Sequence, residues 1–519
     1  VPVRLTLLVV LLIPAAHAQG ARLAAADGPL YEVVERLQRR GHLLGLNPTV
    51  APHSHAELDR ALAALDTAAL GPVERRWAAW LRRAVPRAAD GPTARVEVGG
   101  GTFATNNERL EPLRWTDAED AVVQAGPLNV YPNLALRASL ADGPWAVTLG
   151  ARVDVFYEDD PDGLDVVNKS IFLRNQESAV GVETRRAAVH VGNPARHWGL
   201  PSGEGLFVSG NPRPYPALMV RLGGERLSVR SLAAQLDAAT ADGRFTGRAG
   251  DAPRETALRR YLYAHRIDWR PRPWLAVTGI ESMLTSGPGA SLSLPAMAPL
   301  AVLSFLNDTP PVDDANNGIV GGMLWVQRGP VTLAGQLAMD DFDLFNDLEP
   351  PSLALTGQAV VAGLAGGRVD AGLDLTVVTA RTYSTLLPEN NYVYALRGLG
   401  TQFSDFVHLR AGADVYLDDR VPGLALRPEV QALWQGEADL REPFLPNDAP
   451  AILVGDAERT LRAGLRASYS PAPSVWLRAN LGVNATANDG WVRGRDAVRF
   501  VGLVEGGVRI ALGARVPEL

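Results

Sequence analysis

The sequence predicts an all-β transmembrane β-barrel of about eighteen antiparallel strands, preceded by a small periplasmic α-helical segment. Three observations carry this prediction. From about Ala94 to the end, apolar and polar residues alternate with a period of two, in segments of roughly nine to thirteen residues, the length a tilted membrane strand needs. The connections between these segments alternate between short and long, as an up-and-down membrane barrel requires and a Greek-key sandwich does not. In the clearest segments, every charge falls on the same face.

The first twenty residues, VPVRLTLLVVLLIPAAHAQG, place Arg4 before an apolar run from Leu5 to Ala16 and the small-x-small site Ala16-His17-Ala18. This is the pattern of a signal peptide cleaved before Gln19. Residues 1–18 are thus expected to be a signal peptide, 19–90 a periplasmic helical segment and 91–519 the barrel. Apart from the leader, no run approaches the ~20 apolar residues that a membrane helix needs. The 519-residue chain has no cysteine, which leaves out disulfides, thiol nucleophiles and Cys-ligated zinc. Its net charge of -7, with Lys169 the single lysine, argues against nucleic acid as a partner.

Three helices are expected in the N-terminal segment. Pro29 to Arg40 reads PLYEVVERLQRR, with Leu30, Val33, Val34 and Leu37 at helical spacing and a stop at Gly41. Ser54 and Glu57 make a capping box that opens a second helix from His55 to Leu65. Gly71-Pro72 starts a third, through Trp77, Trp80 and Leu81 to Val85. All three carry apolar stripes that need a partner.

The strands begin near Ala94, Leu128, Trp145, Glu177, Ala187, Tyr215, Glu225, Ala257, Pro273, Asn316, Pro330, Ala354, Arg368, Ser404, Leu424, Glu458, Ser474 and Val498. Short connections fall at Asp142-Gly143, Arg185-Arg186, Gly223-Gly224, Pro271 to Pro273, Gly329-Pro330, Gly366-Gly367, Asp418 to Gly423 and Pro471 to Pro473, most with tight-turn chemistry. Long loops such as Asn193 to Pro214 and Leu284 to Ala315 lie between them. Short turns are periplasmic in such barrels, so both termini and the helices belong on that side.

The two faces differ in kind. In VWLRANLGVNA (Val475 to Ala485), Val475, Leu477, Ala479, Leu481, Val483 and Ala485 share one face, and Arg478, Asn480 and Asn484 share the other. Elsewhere the polar face takes Arg152, Asp154 and Glu158; Arg368, Asp370 and Asp374; Arg410 and Asp414; Arg462 and Arg466; and Glu505 and Arg509. A charge facing lipid at mid-depth costs about 2 to 4 kcal/mol, which keeps the apolar face clean. Outward Trp145 and Tyr157 are spaced like members of two aromatic girdles. The inward charges mix signs, which fits internal ion pairing and a packed plug better than a selectivity filter of one sign.

Little in the sequence points to catalysis: none of the histidines of the mature chain stands in a nucleophile or zinc motif, and no enzymatic activity is expected. No cofactor or metal is expected either. His53 and His55 in PHSHAE are read as residues that open a helix. The acidic clusters Glu158 to Gly163 and Asp340 to Asp347 have oxygen ligands of the calcium type but no EF-hand spacing, and are read as solvated loop acids. The loop from Pro194 to Pro216, PARHWGLPSGEGLFVSGNPRPYP, is rich in Gly, Pro and aromatic residues. Such a loop either builds a stacking surface for sugar rings or folds into the barrel mouth as a constriction.

At this loop the chain resembles the Wzi family of outer-membrane capsule-assembly proteins. Arg196, His197, Trp198, Gly199, Gly203, Gly205, Leu206, Ser209, Asn211, Pro212 and Pro214 fit that family's pattern, whereas Gly199-Leu200-Pro201 departs from its W-G-P-G turn. Further matching stretches are LYEVVERLQRRGHL, APHSHAELDRAL, YLYAHRIDWRPRPWLAVTGIE, NNGIVGGMLWV and MDDFD, which together span most of the mature chain. The resemblance implies an eighteen-stranded barrel with a helical bundle at its periplasmic mouth. It also implies a non-enzymatic, lectin-like role in anchoring capsular or extracellular polysaccharide at the cell surface. Arg196, His197, Trp198, Asn211 and Tyr215 are then the candidate glycan-binding residues, outer-membrane lipid is the surrounding partner and a monomer is expected. The alternatives are a porin or diffusion channel for small solutes and, third, an outer-membrane lipid or glycan hydrolase.

Overall fold

The computed structural model of the chain describes residues 21–24, 29–85, 91–106, 113, 128–155, 172–200, 202–239, 258–287, 289–303, 316–340, 352–395, 397–440, 445–446 and 448–515. The predicted signal peptide, Tyr157 and Glu158 lie outside the described residues.

The three helices form where the sequence places them: α1 (Leu30–Arg39), α2 (His55–Ala63) and α3 (Pro72–Ala84). Capping fixes two of the starts. The Glu57 backbone N–H donates to Ser54 Oγ (3.1 Å) while the Ser54 N–H donates to Glu57 Oε2 (3.2 Å), a reciprocal box. At α3 the Gly71 N–H donates to Glu74 Oε2 (2.6 Å), and Pro72 at the first helical position has no N–H to leave unpaired.

Among the described residues, eighteen wall strands follow. They are β1 (Thr93–Thr105), β2 (Asn129–Asp142), β3 (Trp145–Asp154), β4 in two segments (Phe172–Asn175 and Ala179–Glu183), β5 (Ala187–Gly192) and β6 (Ala217–Gly223). Next come β7 (Leu227–Gln235), β8 (Arg259–Arg272), β9 (Leu275–Gly287), β10 (Asn316–Arg328), β11 (Val331–Asp340) and β12 (Ser352–Gly363). The last six are β13 (Val369–Val378), β14 (Phe406–Tyr416), β15 (Leu424–Gln435), β16 (Glu458–Ala472), β17 (Val475–Ala487) and β18 (Ala497–Arg515). Neighbours pair antiparallel, and β1 pairs with β18 from Thr93↔Arg515 to Thr105↔Leu503. The sheet is therefore closed.

One strand departs from the expected continuity. Both segments of β4 pair with β3, and between them the chain bulges over Gly150. The Gln176 N–H donates to Gly150 O (2.8 Å), and a Cβ on residue 150 would stand 1.8 Å from Gln176 O. Only glycine admits this close approach.

The short turns lie at the end where β1 begins and β18 ends, and α3 seats against that end. Trp77 Nε1 donates to Asp418 Oδ2 (3.2 Å), Arg76 pairs with Asp419 (3.1 Å), and Trp80 Nε1 donates to Ser470 O (3.1 Å). The apolar stripes of the helices close on one another and on Tyr416 and Ala425 of the wall. The short-turn mouth of the barrel is the partner those stripes required.

On the outside, β17 shows the two-residue rhythm directly. Leu477 and Val483 are 47% and 45% exposed, whereas Asn484 between such positions is 4% exposed. Leu134, Leu149, Leu333, Leu373, Leu461 and Ile510 extend the same exposed apolar belt around the wall, with Trp145 on it. Water does not tolerate an apolar surface of that extent, and hydrocarbon does. The chain is an outer-membrane barrel.

Candidate functional site

The long connection between β5 and β6 turns inward and packs into the lumen. Trp198, Leu206, Phe207 and Val208 pack against inward side chains of the wall, including Leu262, Ile280, Met323 and Trp325. The loop's backbone polar groups are satisfied from the wall and from a second loop. The Leu206 N–H donates to Gln336 Oε1 (3.0 Å), Tyr383 OH donates to Leu206 O (2.8 Å) and Tyr392 OH donates to Phe207 O (2.9 Å). Tyr383 and Tyr392 belong to the connection between β13 and β14, and their rings stack at 5.6 Å. The two loops touch closely enough to demand glycine: a Cβ on Gly400 would lie 2.6 Å from Leu206 O.

Beneath this plug the helical segment rises to meet it. Ala51 and His197 exchange backbone hydrogen bonds (2.9 and 2.8 Å), and Ser202 Oγ bonds both Glu35 and Arg39 of α1 (3.1 Å each). Arg266 is wholly buried; it holds Thr49 by its carbonyl (2.7 Å) and hydroxyl and pairs with Asp268 (2.6 Å). Arg260, equally buried, ties Asn391 O (2.7 Å) and Val393 O (3.0 Å) of the upper loop to β8. A continuous column of chain thus runs through the barrel, from the long-loop end to α3.

The lumen charges pair with one another. Arg40 at the end of α1 meets Asp370 (2.8 Å), whose other oxygen accepts from Tyr416 OH (2.8 Å), and the Arg40 guanidinium lies 4.8 Å from the Trp77 ring centre. Along the neighbouring strands Arg410 binds Asp374 (3.0 Å), Arg427 binds Asp414 (3.0 Å) and Arg466 binds Glu429 (2.7 Å). Arg478 bridges Glu505 of β18 (3.2 Å) and Glu32 of α1 (2.7 Å). Ions of both signs, some buried and some half-buried, paired in this way hold the inward segments in register.

The five glycan candidates all sit within this assembly. Arg196 is 5% exposed, donates to Pro194 O (2.8 Å) and Tyr215 O (2.5 Å), and lies 3.9 Å over the Tyr215 ring. Burial lowers its guanidinium from the ordinary range, with Tyr215 opposing. His197 is likewise lowered by burial, against a hydrogen bond to Leu200 O (3.2 Å), so its ring is neutral at pH 7. Trp198 is buried in the plug, and Asn211 Nδ2 donates to Gly400 O (2.6 Å). Arg196, His197 and Tyr215 border a cavity of about 430 Å³ between the loop and α1, shared with Glu35, Gln38 and His53.

The other sequence candidates find local roles. His53 Nδ1 faces Glu57 Oε2 at 3.3 Å beside the α2 cap. Among the described residues no cluster of three His, Asp or Glu is placed to hold a metal ion. Asp340, at the head of the second acidic run, is buried and accepts from the Tyr383 N–H (2.5 Å); the rest of that run and all of Glu158 to Gly163 lie outside the described residues. Sequence reasoning missed Tyr383, Tyr392 and Gly400, which meet the plug across some 180 residues of chain and carry no local signal.

The fold is similar to that of Wzi from Escherichia coli, described as an outer-membrane protein involved in group 1 capsule assembly and a carbohydrate-binding β-barrel. The TM-score is 0.65 at 15% identity, over 94% of this chain and 99% of that one. It is also similar to the Pseudomonas aeruginosa proteins OccD3 (TM-score 0.46, 11% identity, 81% of this chain and 91% of that one) and OprD (0.43, 10%, 82% and 97%). No protein-family model and no curated protein matches the chain. The barrel fold that the residue patterns suggested is the fold shared with Wzi.

Proposed function

We propose that this barrel anchors capsular or extracellular polysaccharide at the cell surface and acts by binding, without catalysis. The filled lumen supports this reading most directly. Two inward loops, the helical segment and a ladder of paired charges occupy the space a diffusing solute would need. A filled barrel offers the cell a rigid, membrane-fixed mouth whose long loops face outward. The likeness to Wzi, a carbohydrate-binding barrel, points the same way.

In this proposal Arg196, His197 and Tyr215 are the sugar-facing members, since they border the cavity beside α1. Trp198 and Asn211 keep the loop in the shape that presents them. The test is surface-retained polysaccharide in the native host. Deletion is expected to release polysaccharide into the medium without reducing its synthesis. Trp198→Ala, expressed at the normal outer-membrane level, is expected to retain less than the parent. Undiminished retention in the deletion strain would remove the proposed function.

A further inference from the structure

A second concavity, of about 610 Å³, opens at the short-turn end, beside α2. Seven arginines line it against two glutamates, in a chain whose net charge is -7. They converge from α2 (Arg60), the β4–β5 turn (Arg185, Arg186), the β6–β7 turn (Arg226) and strands β6 to β8 (Arg221, Arg230, Arg270). A solvated charged face spreads its groups apart; here separate elements bring like charges to one hollow.

The internal partners do not use this charge up. Arg221 pairs with Glu183 (3.3 Å) and Glu57 (3.8 Å), Arg230 pairs with Asp268 (3.5 Å), and Arg270 caps the carbonyls of Leu44 and Gly45. Burial would raise Glu57, yet its His53 hydrogen bond and then Arg221 and Arg230 hold it below the ordinary carboxylate range. The side chains of Arg185, Arg186 and Arg226 make no ion pair or hydrogen bond among the described residues and are exposed at the rim. Among the described residues Arg60 commits only its Nε, to Ala56 O (3.3 Å).

The geometry points to an anion-binding site at the periplasmic mouth, for a water-soluble molecule carrying two or more carboxylate or phosphate groups. Guanidinium forks match the paired oxygens of both groups, and a concave cluster of one sign raises the local concentration of the opposite ion. The volume suits a small ligand of one or two sugar units. A bilayer lipid is the wrong source, because Leu222, Leu227 and Trp269 face outward from these strands while Arg221 and Arg270 point inward. The hollow opens at the opposite end of the barrel from the long loops and adjoins the cavity of the polysaccharide proposal, with Asn47 and His53 lining both.

The test is calorimetric titration of the full-length protein in detergent at low salt, with digalacturonate in one arm and inorganic pyrophosphate in the other. Saturable binding in either arm is expected, weakening as salt rises, and the arm that binds identifies the oxyanion. The triple variant Arg185→Gln, Arg186→Gln, Arg226→Gln is expected to bind on the order of tenfold more weakly or worse. These side chains are exposed in turns, and unchanged heat-modifiable gel mobility will report that the variant barrel is folded. Absence of saturable binding in both arms, or equal affinity in the folded triple variant, overturns the inference.

Discussion

The outer and inner faces of this barrel come from the same strands and are held by different physics. On β17, Leu477 and Leu481 are exposed on the outer face, so their placement follows from one local rule, apolar toward hydrocarbon. One residue along, Arg478 reaches Glu32, 446 positions away in sequence, and Asn480 accepts from Arg462. The outer face is thus specified by a pattern any short window shows. The inner face is specified by pairs of groups that only the closed barrel brings together.

Three changes break or sharpen that contrast. Arg266→Ala strikes the inner face hardest, because it leaves buried Asp268 without its main partner and frees Thr49. A loss of about 3 to 5 kcal/mol is expected from urea unfolding in vesicles, and a loss within experimental error of zero would deny the inner pairs their structural role. On the outer face Leu481→Arg, at the middle of β17, is expected to cost about 2 to 4 kcal/mol, whereas Val475→Arg at the periplasmic end costs about 0 to 1. Equal penalties at the two depths would mean that no bilayer surrounds the wall.

The third change is in pH. Burial, followed by Arg22, Arg137 and Arg95, lowers His55 from its ordinary 6.5 to about 3. The folded state therefore disfavours the charged ring. Its stabilising share is full above pH 6.5 and is lost as pH falls from there toward 3. Between pH 6.5 and 5 the unfolding midpoint of the parent is expected to fall more steeply than that of His55→Gln. Parallel pH profiles would remove His55 from the account.

Legibility in the sequence follows the same division. The strand alternation, the Ser54-Glu57 box and the turn dipeptides are local, and each appears where its residues predict. The break in β4 was invisible because it depends on how closely Gln176 crosses Gly150, a contact between strands. The Pro194 to Pro216 loop stood out by composition, but Gly, Pro and aromatic residues serve a sugar surface and a packed plug equally. Phe207 and Trp198 have the same chemistry in either setting; what places them inside is Gln336, Tyr383 and Tyr392, on other strands and loops. The arginine hollow was likewise hidden, since Arg60, Arg186 and Arg226 are unremarkable in their own segments and meet only at the barrel's end.

The central claim is that hydrocarbon lies outside this sheet and folded chain fills its inside. Planar-bilayer conductance of the purified protein tests both halves at once. Insertion without large steady channels, confirmed by recovery of folded barrel from the membrane, is the predicted result. Stable ohmic openings of porin size from the intact protein would contradict it and return the chain to the diffusion-channel reading.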